Sequence, residues 1–266
     1  MAWGAGDFGG GLASRRTPVD GVVLVSQITG MLVTFAIGLA LGEQLPGPRD
    51  VAICAVAGAL GAIGIVSLYR GLAVGRMGVV APVTGVLAAV IPVVAGFVTQ
   101  GVPGPLVVLG IGLAVIAVVL VSRVADESGG RTGLPEALIA GTTIGLFGVA
   151  IAQLSRGSVF TELGVIRSFQ GIFVAIGILA LRRTWRPQAS LVPVLVLIGL
   201  LDTTGNALYL GAVQTGQLAI ASVLSAMYPV ATIVLAMAFL REPISRGHAV
   251  GIVLAGIAIA LIASGG

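Results

Sequence analysis

Forty-six consecutive residues, from Met77 to Ser122, carry no charged side chain. A helix that crosses a bilayer needs about 20 predominantly apolar residues, and a charge at its centre is costly. A run of this length therefore holds two spans, parted by the Gly101-Val102-Pro103-Gly104-Pro105 turn. The rest of the chain obeys the same punctuation. Asp20 to Glu43, Asp50 to Arg70, Ala137 to Ser155 and Gly247 to the C-terminus each accommodate one span. Leu163 to Leu181 holds another, interrupted by Arg167, and Pro187 to Leu240 holds two, with a polar break at Gln214-Thr215-Gly216-Gln217 and one acid, Asp202, inside. Only 9% of residues are charged and the mean hydropathy is +1.13, where soluble domains carry about 25% charged residues. The expected fold class is an all-α integral membrane protein of about ten transmembrane helices.

The first segment is the exception. Met1 to Ser14 is too short to span and carries Asp7, so the first helix is expected to be truncated, with a true half-helix as the alternative. No secretory signal is read here, because Met1 runs directly into Ala2-Trp3-Gly4 without a basic stretch or cleavage site.

The longest polar stretch, around Asp126, Glu127, Gly129-Gly130 and Pro135, divides the spans five and five. The predicted organisation is a repeat over residues 1–124, a linker over 125–135 and a second repeat over 136–266. Tyr69-Arg70-Gly71 precedes Pro92-Val93 as Tyr209-Leu210-Gly211 precedes Pro229-Val230, at offsets of 140 (209 − 69) and 137 (229 − 92). Five is odd, so the second copy enters the membrane from the opposite side. Inverted repeats of this kind alternate access to a midplane site in secondary transporters.

Several stretches carry a family resemblance: Trp3-Gly4-Ala5-Gly6-Asp7-Phe8, Tyr69-Arg70-Gly71-Leu72-Ala73-Val74-Gly75, Gly199-Leu200-Leu201-Asp202 with Tyr209, and Tyr228-Pro229 followed by Leu240-Arg241-Glu242-Pro243. In these the chain resembles EamA-type members of the drug/metabolite transporter superfamily. The resemblance implies two inverted five-helix repeats around a central cavity, a multi-pass protein of a bacterial inner membrane, and movement of small metabolites or drugs. The chain departs from the pattern where Gln100-Gly101 stands in place of a Gly-Glu pair, while Glu242 keeps the acid in the second half.

Polar side chains inside apolar spans are the candidate site. Asp202 needs a partner, water or a proton at that depth, and is read as a coupling acid or as a structural one. Arg167 either clamps a substrate carboxylate or forms an ion pair with Asp202 or Asp7. Gln170 shares Arg167's helix face at i+3, and Asn206 and Tyr209 follow Asp202 at i+4 and i+7. Asp7 lies at i+4 from Trp3, which is itself either part of the site or an interfacial anchor. With Gln27 and Tyr69, these give the expected substrate-binding or coupling set: Asp7, Gln27, Tyr69, Arg167, Gln170, Asp202, Asn206 and Tyr209. Pro82, Pro92 and Pro229 should bend or break their helices, and the paired Pro92 and Pro229 are candidate hinges or inherited kinks.

Other signals are discounted. Gly4-Ala5-Gly6-Asp7-Phe8-Gly9 matches a dinucleotide fingerprint but lacks the strand that must precede it. One cysteine, Cys54, and one histidine, His248, give no basis for a disulfide, a metal site or any cofactor. The fourteen basic residues are all arginine and scattered among loops, which argues against a nucleic-acid surface. The Gly38/Gly42 and Gly141/Gly145 pairs are read as close helix packing.

Orientation divides the signals. Arg15, Arg16, Arg70, Arg76, Arg123, Arg131, Arg182, Arg183, Arg186, Arg241 and Arg246 fall on one side and Arg49 and Arg156 on the other. The positive-inside rule would make the crowded side cytoplasmic. The family resemblance implies cytoplasmic termini instead, and that orientation is the one expected.

The leading functional reading is a secondary active transporter, exporter or permease, of small solutes, with a proton or a solute as the driving partner and the lipid bilayer as its setting. The alternatives are a membrane scaffold, an intramembrane enzyme or a channel. An enzyme is not expected, since neither H-E-x-x-H nor G-x-S-x-G occurs. Buried polar residues speak against a mere scaffold, and the lack of a repeated filter sequence against a channel.

Overall fold

The structure, a computed structural model, describes residues 2–100, 104–126, 132–155, 157–214, 228–240 and 246–264. Ten α-helices lie among them: α1 (Ala2–Ser14), α2 (Val19–Ala40), α3 (Pro48–Val74), α4 (Met77–Gln100), α5 (Pro105–Asp126), α6 (Leu134–Ile151), α7 (Phe160–Ala180), α8 (Val192–Gln214), α9 (Tyr228–Leu235) and α10 (Arg246–Ser264). A π-helical turn, Ala236–Leu240, extends α9. No strand occurs among the described residues. Several features singled out in the sequence lie outside them: residues 101–103 of the first turn, Glu127, Gly129-Gly130, Arg131, Arg156, Thr215-Gly216-Gln217, and Arg241-Glu242-Pro243. The side chains of Gln100, Arg123, Asp126 and His248 are likewise outside the description.

Five helices are long and apolar enough to cross a membrane: Val19–Ala40, Pro48–Val74, Leu134–Ile151, Phe160–Ala180 and Ala189–Gly211. Met77–Pro92, Pro105–Ala117, Tyr228–Leu240 and Ala249–Ile262 are shorter apolar stretches. Their outer faces carry Leu32 and Leu39 on α2, Leu109 and Val115 on α5, Ile176 and Leu179 on α7, and Leu197 and Leu208 on α8, each more than half exposed or close to it. Water would penalise such surfaces heavily, whereas acyl chains do not. Lipid, not water, is the solvent this exterior suits.

Helix ends follow the local sequence. Pro48 and Pro135 stand in the first turns of α3 and α6, where a missing N–H costs nothing. Gly42 follows the end of α2 at φ 71°, and a Cβ placed on it would meet open space. It is a left-handed helix stop, which corrects its expected role as a packing partner of Gly38. Gly141 and Gly145 do make a close interface: a Cβ on either would sit 2.6 or 2.7 Å from Leu87 or Ile91 of α4. Pro82 and Pro92 lie inside α4 without breaking it.

Side chains tie successive connections at alternate ends of the bundle. At one end Gln188 donates from its backbone N–H to Thr17 Oγ1 at 3.2 Å and from Nε2 to the Arg16 carbonyl at 3.2 Å, and Arg183 meets Asp20 at 3.6 Å. Arg15 donates to the Leu72 carbonyl at 3.3 Å, and Arg70 meets Glu136 at 3.7 Å at that same end. At the other end Arg49 donates to the Gln153 carbonyl at 3.0 Å, and Ser158 donates to the Gln44 carbonyl at 3.2 Å.

The packing partners recur when each helix is exchanged for the one five positions later. The pair α3–α6 becomes α8–α1, α3–α7 becomes α8–α2 and α4–α6 becomes α9–α1, while α2–α7, α4–α9 and α5–α10 map onto themselves. All of these pairs are in contact. Other packing pairs, α1–α3, α4–α10 and α3–α4 among them, have no counterpart of similar extent among the described residues. The main core draws Phe8 from α1, Val22 and Val23 from α2, Tyr69 and Leu72 from α3, Val79, Val80 and Val83 from α4, and Leu195 and Ile198 from α8.

Candidate functional site

Arg167 is the centre of the polar interior. It sits on the inward face of α7 with only 3% of its side chain exposed, on a helix whose opposite face carries the exposed Ile172 and Ile176. An arginine cannot shed its charge at this depth, so its neighbours must meet it. Nη2 donates to Asp202 Oδ2 of α8 at 2.8 Å, and Nη1 donates to Gln27 Oε1 of α2 at 2.8 Å. Asn206 Nδ2 in turn donates to Asp202 Oδ1 at 3.2 Å and to the Asp202 carbonyl at 2.9 Å. Gln27, Arg167, Asp202 and Asn206 thus form one hydrogen-bonded chain across three helices. Of the two ion pairs open to Arg167 from the sequence, the structure contains the one with Asp202.

Space for this chain is made by glycine. A Cβ on Gly30 of α2 would lie 2.6 Å from Arg167 Cδ and 2.7 Å from its Nε. Gln170 likewise rests its amide over Gly61 of α3, and Tyr69 rests its ring over Gly10 of α1. Arg167 Nε is buried without a hydrogen-bond partner among the described residues.

Asp7 is 6% exposed on α1 and has no hydrogen-bond or ion-pair partner among the described residues. It lies close enough to Asp202 to repel it, and Tyr69 is within electrostatic reach of Asp7, Asp202 and Arg167 together. Among the described residues the central site therefore sets two acids against one arginine. Around them stands an aromatic group. Trp3 packs over Gly205 and has ring centroids 5.7 Å from Tyr209 and 6.1 Å from Tyr228. Trp3 is half-buried, and its ring packs against both tyrosines. Tyr209 also reaches toward a second apolar cluster of Cys54, Ala57, Leu163 and Ile166.

The structure brings Gln27, Arg167, Asp202 and Asn206 into direct contact and sets Asp7 and Tyr69 beside them; Gln170 and Tyr209 flank the group on α7 and α8. The two candidate hinges lie elsewhere. Pro92 is in the second half of α4, near Gly148 of α6. Pro229 is the second described residue of α9, with its ring where a Cβ on Gly85 of α4 would lie 2.7 Å away. Sequence reasoning did not nominate Tyr228 for the site or Thr203, which faces Gly30 beside Arg167. Thr203 directly follows Asp202, and that adjacency was the signal available.

Comparison with known proteins agrees with this architecture. A solved structure, described only as the crystal structure of a protein, aligns over 99% of this chain and 98% of its own with a TM-score of 0.60 at 17% identity. That likeness bears on the fold alone. No curated protein matches the chain. The model of the EamA-like transporter family matches residues 131–264, half of the chain. The chain is a membrane protein of transport type and belongs to the EamA-like transporter family.

Proposed function

We propose that this protein is a secondary active transporter that carries a small solute across the membrane by alternating access, through a site formed by Asp7, Gln27, Tyr69, Arg167, Gln170, Asp202, Asn206 and Tyr209. The observation that carries the reading is the charged chain Gln27–Arg167–Asp202–Asn206, which joins α2, α7 and α8 in the interior of an otherwise apolar bundle. Packing alone does not call for it. Replacing a buried ion pair with apolar residues is often neutral or stabilising, so its presence in this member of a transport family is read as working machinery. Its members can exchange partners with a polar solute as helices shift.

The reading extends to two inverted repeats, residues 1–124 and 136–266 joined by 125–135, giving ten spans. The recurrence of packing partners at an interval of five helices supports it. Pro92 and Pro229 are the proposed hinges, one in each repeat. A bacterial inner membrane as the setting rests on the resemblance in the sequence.

Proton coupling is assigned first to Asp7. Asp202 has its charge met by Arg167, whereas Asp7 has no counter-charge among the described residues, and a lone acid at that depth takes up a proton or draws in a cation. The test separates coupling from movement. In proteoliposomes, Asp7→Asn should still exchange solute across the membrane without a gradient but should lose accumulation driven by a proton gradient. Undiminished gradient-driven accumulation by Asp7→Asn would remove Asp7 from the coupling role.

A further inference from the structure

A second buried acid lies outside the central site. Glu162, in the first turn of α7, is 2% exposed, and its Oε2 is buried without a hydrogen-bond partner among the described residues. It stands five residues before Arg167, about 7.5 Å along the helix axis, toward the end of the bundle where the α2–α3 and α6–α7 connections meet. Two further carboxylates are within electrostatic reach, Asp50 of α3 and Glu43 of the α2–α3 connection.

The three acids are not equivalent. Asp50 is met by Arg49 at 3.2 Å. Glu43 accepts from the backbone N–H groups of Val159 at 3.2 Å, Phe160 at 2.8 Å and Thr161 at 2.9 Å, and from Thr161 Oγ1 at 3.3 Å. Those N–H groups are the unsatisfied donors of the α7 N-terminus, where a negative charge is favoured. Glu162 has neither kind of compensation. From α2, no charged group other than Glu43 in the connection that follows it faces this cluster. From α8 the nearest is Asp202, already bound to Arg167. Arg156 lies outside the described residues. Cys54 of α3 donates to the Glu162 carbonyl at 3.8 Å and is fully buried.

We infer that Glu162 is a proton-binding group whose neutral form lets Glu43 lock onto the first turn of α7, and whose ionisation releases that lock. An unpaired carboxylate buried beside two others is strongly disfavoured, and such a group neutralises instead. When the O–H bond of the Glu162 carboxyl breaks and its proton passes to water, the new charge repels Glu43 and Asp50 at once. Glu43 is the one held by hydrogen bonds alone, and it is half-buried at the surface, so it is the group that yields. The contact it holds closed joins the α2–α3 connection to α7, the helix that carries Arg167. Proton loss at this end thus loosens one of the two ends of the bundle. The inference does not depend on the transporter reading, because neither of its readouts involves solute movement.

Cys54 is the only cysteine in the chain and lies beneath the lock, which makes it a native reporter. Two measurements on the purified full chain test the inference. Infrared difference spectra between wild type and Glu162→Gln should contain the carbonyl stretch of a protonated carboxylic acid, and that band should fade from the wild type as pH rises. Alkylation of Cys54 by a maleimide is then followed across the same pH range. The rate ratio of wild type to Glu162→Gln should rise about tenfold toward alkaline pH, the change that one pKa unit of coupling between lock and proton produces. A charged Glu162 beside the thiol would by itself slow alkylation, so simple electrostatics moves the ratio in the opposite direction. Absence of a band lost on Glu162→Gln substitution, or a ratio that stays constant or falls with pH, overturns the inference. Should Glu162→Gln fail to fold, the pH-dependent band is read in an Asp7→Asn background with and without Glu43→Gln: it should be present in both, with Cys54 of the Glu43→Gln protein alkylated quickly at every pH.

Discussion

Arg167 must remain charged, and its two terminal nitrogens are already committed to Gln27 and Asp202. Removing one partner of a buried pair therefore does more harm than removing both, since the survivor is left as an unmet charge. Asp202→Ala should destabilise the protein by about 3–5 kcal/mol. The double variant Arg167→Met, Asp202→Leu should recover most of that loss while abolishing transport. Thermal unfolding in detergent checks the first part, and a double variant less stable than Asp202→Ala would contradict it. The individual polar residues of the site were readable in the sequence because charged and amide side chains are rare in apolar spans. Their pairing was not, since Asp7 and Asp202 were equivalent partners for Arg167 until the packing of Gly30 and Gly61 fixed where the α7 side chains lie. Glu162 escaped attention because it stands at a helix start, where acids are ordinary dipole partners; only its burial and its neighbours set it apart.

At the scale of elements, α4 poses the sharpest question. It runs from Met77 to Gln100 through both Pro82 and Pro92, each of which removes a backbone donor. If Pro92 is a hinge, the loss of that hydrogen bond is part of its use. Pro92→Ala should then leave stability unchanged or slightly higher while lowering turnover severalfold, and a variant as fast as wild type would reduce Pro92 to a tolerated kink. The five long apolar helices were legible from charge spacing, because the cost of a charge at the bilayer centre leaves clear intervals between loops. The π-helical turn after α9 was not, since nothing in Ala236-Met237-Ala238-Phe239-Leu240 distinguishes its backbone pattern from that of an ordinary helix. Nor was the role of Gly42, whose i+4 spacing from Gly38 imitates a packing motif although it lies just beyond the end of α2.

For the whole molecule, the connections are held at alternate ends. Gln188 is tied to the α1–α2 turn and Gln44 to the start of α7, so the two mark opposite ends of the bundle. Single cysteines placed at Gln44 and Gln188, in a Cys54→Ser background, should label with an impermeant reagent from opposite sides, and labelling of both from one side would refute the alternating topology. The side from which Gln188 labels also decides between the arginine distribution and the orientation implied by the family. The central claim is that the polar chain through α2, α7 and α8 moves a solute. Its most direct test is flux of a mixed metabolite and drug panel into proteoliposomes containing the wild type or Asp202→Asn. The account predicts that the wild type moves at least one member of the panel and that Asp202→Asn, inserted to the same extent, moves it far more slowly. Correctly inserted wild-type protein that moves nothing from a broad panel, or an Asp202→Asn variant that moves the same solute at the wild-type rate, would contradict it.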